Sequence, residues 1–256
     1  MEIIRFIIGN SSTFLFVFVR TGAVIMTAPI FGAFNVPMQV KAGLSFVIAL
    51  ILTQITAYVP MPQGLVSLVL SLLGEMLIGA AIGLCVRFIF SGIEFAGQVA
   101  SFQMGIGMAS AFDPLNSAQV TVFGKMLSIL TLLIFLSVNG HLMVLMALSR
   151  SFEVIPPYGF HLSNSLMEGM VNFSKEIFLL AIKFSAPVMA ILIFVNLALG
   201  IMARTVPQLN MFVVGFAVTI MVGFVVMALS LPVFETAVIG VMDRMWYGIF
   251  ELIRVM

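Results

Sequence analysis

Long stretches without a single charged residue constrain the fold of this chain more than any other feature. Thr205 to Phe234 is uncharged, and so is Met126 to Ser149. Each stretch exceeds the roughly 20 apolar residues that a helix needs to cross a bilayer. In lipid, backbone polar groups must be satisfied within a helix or a closed barrel, and continuous apolar runs favour helices over alternating strands. The sequence therefore predicts an all-α fold, a polytopic membrane protein built from apolar helices.

The composition agrees with this prediction and excludes several classes of function. Hydrophobic residues make up 62% of the chain and charged residues 8%, too few to cover a soluble fold of 256 residues. No hydrophilic block separates a second domain, so we predict a single membrane domain over residues 1–256. The net charge is +1, and the few charged residues are dispersed along the chain without the basic patch that nucleic-acid binding requires.

No pattern of catalytic or ligand-binding residues stands out. Cys85 is the only cysteine, which excludes an internal disulfide and a multi-cysteine metal site. The chain contains no HExxH sequence, nucleophile elbow or glycine-rich phosphate loop, and its acidic residues are not paired for acid and base chemistry. We predict no catalytic residue, no cofactor and no metal, and therefore no enzyme.

Interrupted apolar stretches supply further candidate helices. The only charged residues from Ile3 to Ile30 are Arg5 and Arg20. We expect this stretch to be a retained helix and not a cleaved signal peptide. Ala42 to Gly74 is uncharged but is broken by prolines, and Ser151 to Phe173, rich in proline, glycine and asparagine, is another break.

The last third of the chain predicts a helical hairpin followed by an amphipathic helix. Ile177 to Ala203 and Thr205 to Phe234 would pair, and the turn between them would dock on another protein, close a pore, or simply be solvated. After Phe234, a polar face alternates with apolar residues at helical spacing, which indicates either a membrane-interface helix or a helix end packed on a partner. The turn presents Arg204, Pro207, Gln208 and Asn210; the polar face comprises Thr236, Gly240, Asp243, Tyr247, Glu251 and Arg254, and the apolar one Val238, Met242, Met245, Ile249 and Leu252.

A polar stripe and three charges lie within otherwise apolar sequence. The stripe, at helical spacing, indicates either a lumen or subunit seam, or ordinary hydrogen bonding between helices. The charges are predicted to be buried, because ionisable groups at such positions usually face a bundle interior. Gly79 and Gly83 form a small-xxx-small pair that lets two helices approach closely. The stripe consists of Ser91, Glu94, Gln98 and Ser101, and the charges are Glu75, Arg87 and Lys183.

Glycines and soft apolar side chains alternate directly after this stripe. Such a composition is typical of a mobile loop, and methionine side chains adapt well to irregular apertures. The segment is therefore a candidate plug, although methionine is so frequent in this chain that chance placement is the alternative. The candidate plug comprises Met104, Gly105, Ile106, Gly107, Met108, Phe112, Asp113 and Pro114.

Several segments in a fixed order resemble the FliR/SctT family of type III secretion export-apparatus proteins, over nearly the whole chain. The R-T-x-P-Q-x-N-x-F stretch from Arg204 to Phe212 is the most specific, and it favours the flagellar branch of the family over the virulence branch. The other segments are Ala28 to Gly32 with Pro37 and Lys41; Gly74, Glu75, Gly79 and Gly83; Asp113 and Pro114; and Asn139, Gly140 and His141.

This resemblance implies a subunit of the export gate, assembled helically with FliP and FliQ around the path of unfolded substrates. It implies a FliP-like part over residues 1–172, then a FliQ-like hairpin and C-terminal helix over 173–256. FlhB and other export-apparatus proteins would be further partners. The expected location is the bacterial inner membrane at the flagellar basal body, with part of the assembly on the periplasmic side. In this family a central loop helps to close the resting pore, and by position it corresponds to Met104 to Asn116.

A small-solute transporter is the alternative from another class. The charges Glu75, Lys183 and Arg204 would then serve a coupling site. We find no inverted repeat in the sequence to support this alternative.

Overall fold

All the regular secondary structure that the structure describes is helical. The computed structural model describes residues 10–29, 36–106, 121–161, 163–206 and 210–256, without the side chains of 211 and 212. Over these ranges there is no strand, which confirms the all-α prediction. The helices are α1 (Ser11–Thr27), α2 (Met38–Thr53), α3 (Leu65–Gln103), α4 (Val122–Ser137), α5 (Gly140–Val154), α6 (Asn164–Thr205) and α7 (Met211–Val255).

Helix length and composition support a polytopic membrane protein. Among the described residues, α3, α6 and α7 are each long and apolar enough to cross a bilayer. The shorter helices α4 and α5 pass the same test only as a pair, which is bent by 67° at the break between them. The prediction of several apolar spanning helices is therefore confirmed.

The break between α4 and α5 corrects the prediction of one continuous helix over Met126 to Ser149. Asn139 stands in the left-handed conformation with φ of 56°, which asparagine tolerates better than most residues. Its backbone carbonyl accepts hydrogen bonds from the amides of Leu142 and Met143, and these bonds begin α5. One residue in the left-handed conformation thus divides an uncharged, mostly apolar stretch.

The two hairpin helices are separated where the sequence predicts, but both are longer than expected. Helix α6 ends at Thr205 and α7 begins at Met211. Helix α7 then continues through Pro232 to Val255, so the separate C-terminal helix expected after Phe234 is the end of one long helix. Proline has no backbone N–H, so Pro232 leaves the Ala228 carbonyl, four residues earlier, without its usual donor, yet the helix continues past it.

The chain folds as two compact units. The first contains residues 1–88, 136–173 and 242–256, and the second contains residues 89–135 and 174–241. The FliP-like part over residues 1–172 and the hairpin with its C-terminal helix over 173–256 stay predictions. Edge-to-face aromatic pairs fill the second unit, namely Phe90 with Phe135, Phe123 with Phe224 and Phe184 with Phe234.

In the first unit, hydrogen bonds attach the segment between α2 and α3 to its neighbours. The Ser12 hydroxyl donates to the Val59 carbonyl at 2.5 Å, and the Val59 amide donates to the Thr13 hydroxyl at 2.9 Å. The Tyr158 hydroxyl donates to the Pro60 carbonyl at 2.6 Å. The proline-containing break is therefore an ordered connection.

The amphipathic pattern at the end of α7 correctly predicts which residues are buried. Every residue of its apolar face is buried, and the polar face is exposed except for half-buried Gly240. Within the first unit this helix end packs on the start of α6, since a Cβ on Gly248 would lie 2.7 Å from the Phe173 ring. Trp246 is buried as well. The apolar face is thus covered by its own chain, and not by a membrane interface or a partner.

Candidate functional site

A buried ion pair joins α1 to α3 in the first unit. The Arg20 Nε donates to the Glu75 Oε2 at 2.6 Å, and the two side chains are 0% and 2% exposed. Burying an ion pair is favourable only when the remaining donors are also satisfied. The other hydrogen-bond partners of the guanidinium therefore determine how far this ion pair stabilises the fold.

Residues around the end of α5 accept one hydrogen bond from each terminal nitrogen of the Arg20 guanidinium. Its Nη1 donates to the Ser151 hydroxyl and its Nη2 to the Ile155 carbonyl, both at 3.1 Å. The guanidinium also lies over the Phe152 ring, 4.1 Å from the centroid. Ile155 follows α5 directly, where carbonyls lack partners within the helix. We call Arg20, Glu75, Ser151, Phe152 and Ile155 the buried-arginine cluster; it connects α1, α3 and the end of α5.

Close packing of α1 on α3 depends on the two glycines that the sequence identified. A Cβ on Gly79 would collide with the Arg20 carbonyl and would lie 2.8 Å from the Ala23 Cβ. A Cβ on Gly83 would collide with the Thr27 hydroxyl. The prediction that this small-xxx-small pair allows two helices to approach closely is therefore confirmed.

Only one of the three charges predicted to be buried is buried in this chain. Glu75 belongs to the buried-arginine cluster, whereas Arg87 and Lys183 are exposed. Burial within the chain is thus wrong for these two residues, because their sides of α3 and α6 are not covered by the rest of this chain. Sequence reasoning also missed Arg20 as the partner of Glu75. The available signal was two opposite charges in separate apolar stretches.

The polar stripe lies in the second unit beside a close contact between α3 and α4. A Cβ on Gly97 would lie 2.5 Å from the Gly124 Cα. Ser101 is fully buried, and its hydroxyl has no hydrogen-bond partner among the residues that the structure describes. Ser91, Glu94 and Gln98 are half-buried. A lumen or subunit seam, and hydrogen bonding between helices, both stay predictions for this stripe.

Only the beginning of the candidate plug falls within the described residues. Met104 is fully buried just after α3, and its carbonyl accepts a hydrogen bond from the Thr219 hydroxyl at 3.0 Å. Gly105 has a φ of 86° and lies against the Phe216 ring. Ile106 is half-buried. The other members, Gly107, Met108, Phe112, Asp113 and Pro114, lie outside the described residues.

The hairpin tip is exposed at both of its described positions. Arg204 lies in the last turn of α6, where a cation interacts favourably with the helix dipole. The Asn210 carbonyl accepts hydrogen bonds from the amides of Val213 and Val214, at 3.1 and 3.2 Å, at the start of α7. Pro207 and Gln208 lie outside the described residues. A role for the tip in docking therefore stays a prediction.

A small cavity in the second unit lies between mostly apolar side chains. Its volume of about 20 Å³ is enough for about one water molecule and far too small for an organic solute. Within the described ranges, no group of three or more His, Cys, Asp or Glu residues could hold a metal ion. The lining residues are Ala96, Ala100, Phe123, Leu127, Phe184, Val188, Met227, Ser230, Leu231 and Phe234.

Long apolar helices that pack through close glycine contacts are characteristic of a polytopic helical membrane protein. The model of the family described as bacterial export proteins, family 1, matches residues 11–245. The chain therefore belongs to this family, and the resemblance to FliR/SctT export-apparatus proteins is confirmed.

Its relatives include proteins named flagellar biosynthetic protein FliR from three bacteria. The Bacillus subtilis protein is 35% identical over 239 residues, which cover 89% of each chain. The Pectobacterium carotovorum protein is 34% identical over 224 residues, 86% of this chain and 85% of the relative. The Escherichia coli protein is 32% identical over 213 residues, 83% of this chain and 82% of the relative.

Proposed function

We propose that this chain is a non-enzymatic structural subunit of the flagellar type III protein export gate. It forms, with FliP and FliQ, the pore for unfolded export substrates in the bacterial inner membrane. Membership in a family of bacterial export proteins, and the flagellar name of its relatives, support this proposal.

The structural observation that carries the proposal is the exposure of two cations on apolar helices. Arg87 on α3 and Lys183 on α6 are exposed, and Leu179 and Ile182 beside Lys183 are exposed as well. A charged side chain at the centre of a bilayer costs about 2.5–3.5 kcal/mol on insertion scales. A chain surrounded by lipid would place such charges against hydrocarbon. A subunit of a larger assembly can instead turn them toward a partner or an aqueous path.

The central loop is proposed to help close the pore while the gate is at rest. Met104 to Asn116 is rich in methionine and glycine, and an apolar constriction resists ions because they must lose their hydration to pass. The described start of this loop is tied to α7 through Met104 and Gly105, which gives the loop a defined origin.

Co-expression with FliP and FliQ tests the assembly. We expect one stable complex, with its yield lowered by Arg87→Glu or Lys183→Glu. The matched control is Arg244→Glu, which reverses an exposed cation next to Asp243 on the amphipathic end of α7. Recovery of this chain as a well-folded monomer with substrate-dependent turnover would overturn the proposal.

A solute assay in liposomes separates the gate subunit from a small-solute transporter. A transporter would bind or move a defined solute in liposomes without another subunit, whereas a gate subunit would not. Genes for FliP and FliQ adjacent to this gene would favour the flagellar gate, and adjacent virulence secretion genes would favour the virulence form.

A further inference from the structure

We propose that helix α7 positions the origin of the central loop through a loop seat formed by Phe216, Thr219 and Gly223. This inference rests on the proposed function of the loop. The residues of the seat lie on α7, outside the loop sequence. The seat and the residues that it holds, Met104 and Gly105, all lie within the second unit.

The first contact is a hydrogen bond to the backbone where α3 ends. Carbonyls in the last turn of a helix have no partner within it, and Met104 comes directly after α3. The Thr219 hydroxyl reaches the Met104 carbonyl at 3.0 Å, and it also lies 3.0 Å from the Gly215 carbonyl of its own helix. A hydroxyl carries one proton, so the bond to Met104 competes with bonding inside α7. The hydroxyl also lies 3.2 Å from the Phe216 carbonyl, so the end of α3 is one of three acceptors within its reach and the only one outside α7.

The second contact encloses the Met104 side chain. Met104 is fully buried, and a Cβ on Gly223 would collide with its terminal methyl and lie 2.7 Å from its Cγ. Glycine at this position of α7 therefore leaves the space that the thioether occupies.

The third contact sets the direction in which the backbone leaves the seat. Gly105 has a φ of 86°, in a region of backbone conformation that residues other than glycine rarely adopt. A Cβ there would also collide with the Phe216 ring. Because backbone, side chain and exit direction all depend on α7, a displacement of α7 displaces the origin of the loop with it.

Removing the Thr219 hydroxyl tests this inference in the assembled complex with FliP and FliQ. Thr219→Val keeps the shape of the side chain, and Thr219→Ser keeps the hydroxyl. Thr131→Val is the matched control, because Thr131 is also buried in the second unit but donates only to the Leu127 carbonyl of its own helix. Complex yield shows whether each variant folds and assembles.

The first measurement is amide hydrogen exchange at Gly105 and Ile106, which reports on the seat without reference to gating. We expect exchange about tenfold faster in Thr219→Val, since a buried carbonyl loses its donor. Thr219→Ser and Thr131→Val should exchange as the parent does. Equal exchange in Thr219→Val and Thr131→Val would overturn the inference.

The second measurement is ion conductance of the resting complex. Thr219→Val should leak more than the parent and Thr219→Ser should not, with Met108→Ser/Phe112→Ser as a direct test of the loop. If that loop variant leaks while Thr219→Val stays tight, the positioning role of the seat is wrong. If the loop variant stays tight, the proposed function of the loop is wrong, and hydrogen exchange still decides whether α7 holds its origin.

Discussion

Separating the two charges of the buried-arginine cluster should destabilise the protein strongly, whereas removing both should not. In Glu75→Leu, Arg20 keeps its bonds to Ser151 and Ile155 but loses the carboxylate at 2.6 Å. Removing one partner of a buried ion pair typically costs about 3–5 kcal/mol, because the other charge remains buried without compensation. We expect the same range for Arg20→Met, which leaves the Glu75 carboxylate buried.

The double variant Arg20→Met/Glu75→Leu should lie much closer to the parent. It buries no charge, and the Ser151 hydroxyl still donates to the Leu148 carbonyl at 2.7 Å. Only the Ile155 carbonyl loses its donor, which costs about 1–3 kcal/mol. The interaction energy in the double-mutant cycle should therefore be at least about 3 kcal/mol, the upper end for residues in direct contact.

The assay is the loss of assembled complex on heating, followed by size-exclusion chromatography with a fluorescent tag on this chain. At about 2–4 °C per kcal/mol for proteins of this size, each single variant should lower the transition by roughly 6–20 °C. The control is the exposed pair Arg150 and Glu153, which has nearly the same N–O distance, 2.7 Å, but side chains that are 60% exposed. Arg150→Met should cost no more than about 1 kcal/mol. Additive effects of Arg20→Met and Glu75→Leu would refute the reasoning.

Two other predictions concern helix contacts and the hairpin tip. Gly97→Ala should lower the yield of folded protein, because the added Cβ would lie 2.5 Å from Gly124, whereas Gly43→Ala, with open space around it, should not; equal yields would show that α3 and α4 can separate without loss. Arg204→Ala with Asn210→Ala should lower both the yield of the complex with FliP and FliQ and flagellar secretion. Unchanged yield and secretion would show that the tip is an ordinary solvated turn.

The sequence predicts the helical class and much of the burial pattern, because both follow from the order of apolar residues along one helix. The buried and exposed faces at the end of α7 follow helical spacing, and the hairpin turn follows the polar and proline residues after Arg204. The break at Asn139 escapes such reasoning, because it depends on one backbone conformation in an uncharged, mostly apolar stretch.

Pairing across the chain is harder to predict than helix position. Nothing in the spacing of Arg20 and Glu75 indicates that they meet, since their contact depends on how α1 packs against Gly79. Burial of Arg87 and Lys183 was predicted from hydrophobicity, which cannot distinguish the interior of one chain from the interior of an assembly. The loop seat was not predicted, because Thr219 resembles any other hydroxyl residue within an apolar helix.

The left-handed turn at Asn139 also determines which surroundings α4 and α5 can have. Where one helix stops and another starts, carbonyls and amides fall outside both hydrogen-bond ladders, and hydrocarbon chains offer them no partner. Asn139 satisfies part of this demand, because its carbonyl accepts from Leu142 and Met143 and its amide donates to the Leu136 carbonyl. Any group in such a break that lacks a partner within the chain requires water, a lipid headgroup or a neighbouring protein at that level. This requirement limits how deep the turn can lie in the bilayer. Either the acyl chains end before they reach Asn139, or another polypeptide shields it from them.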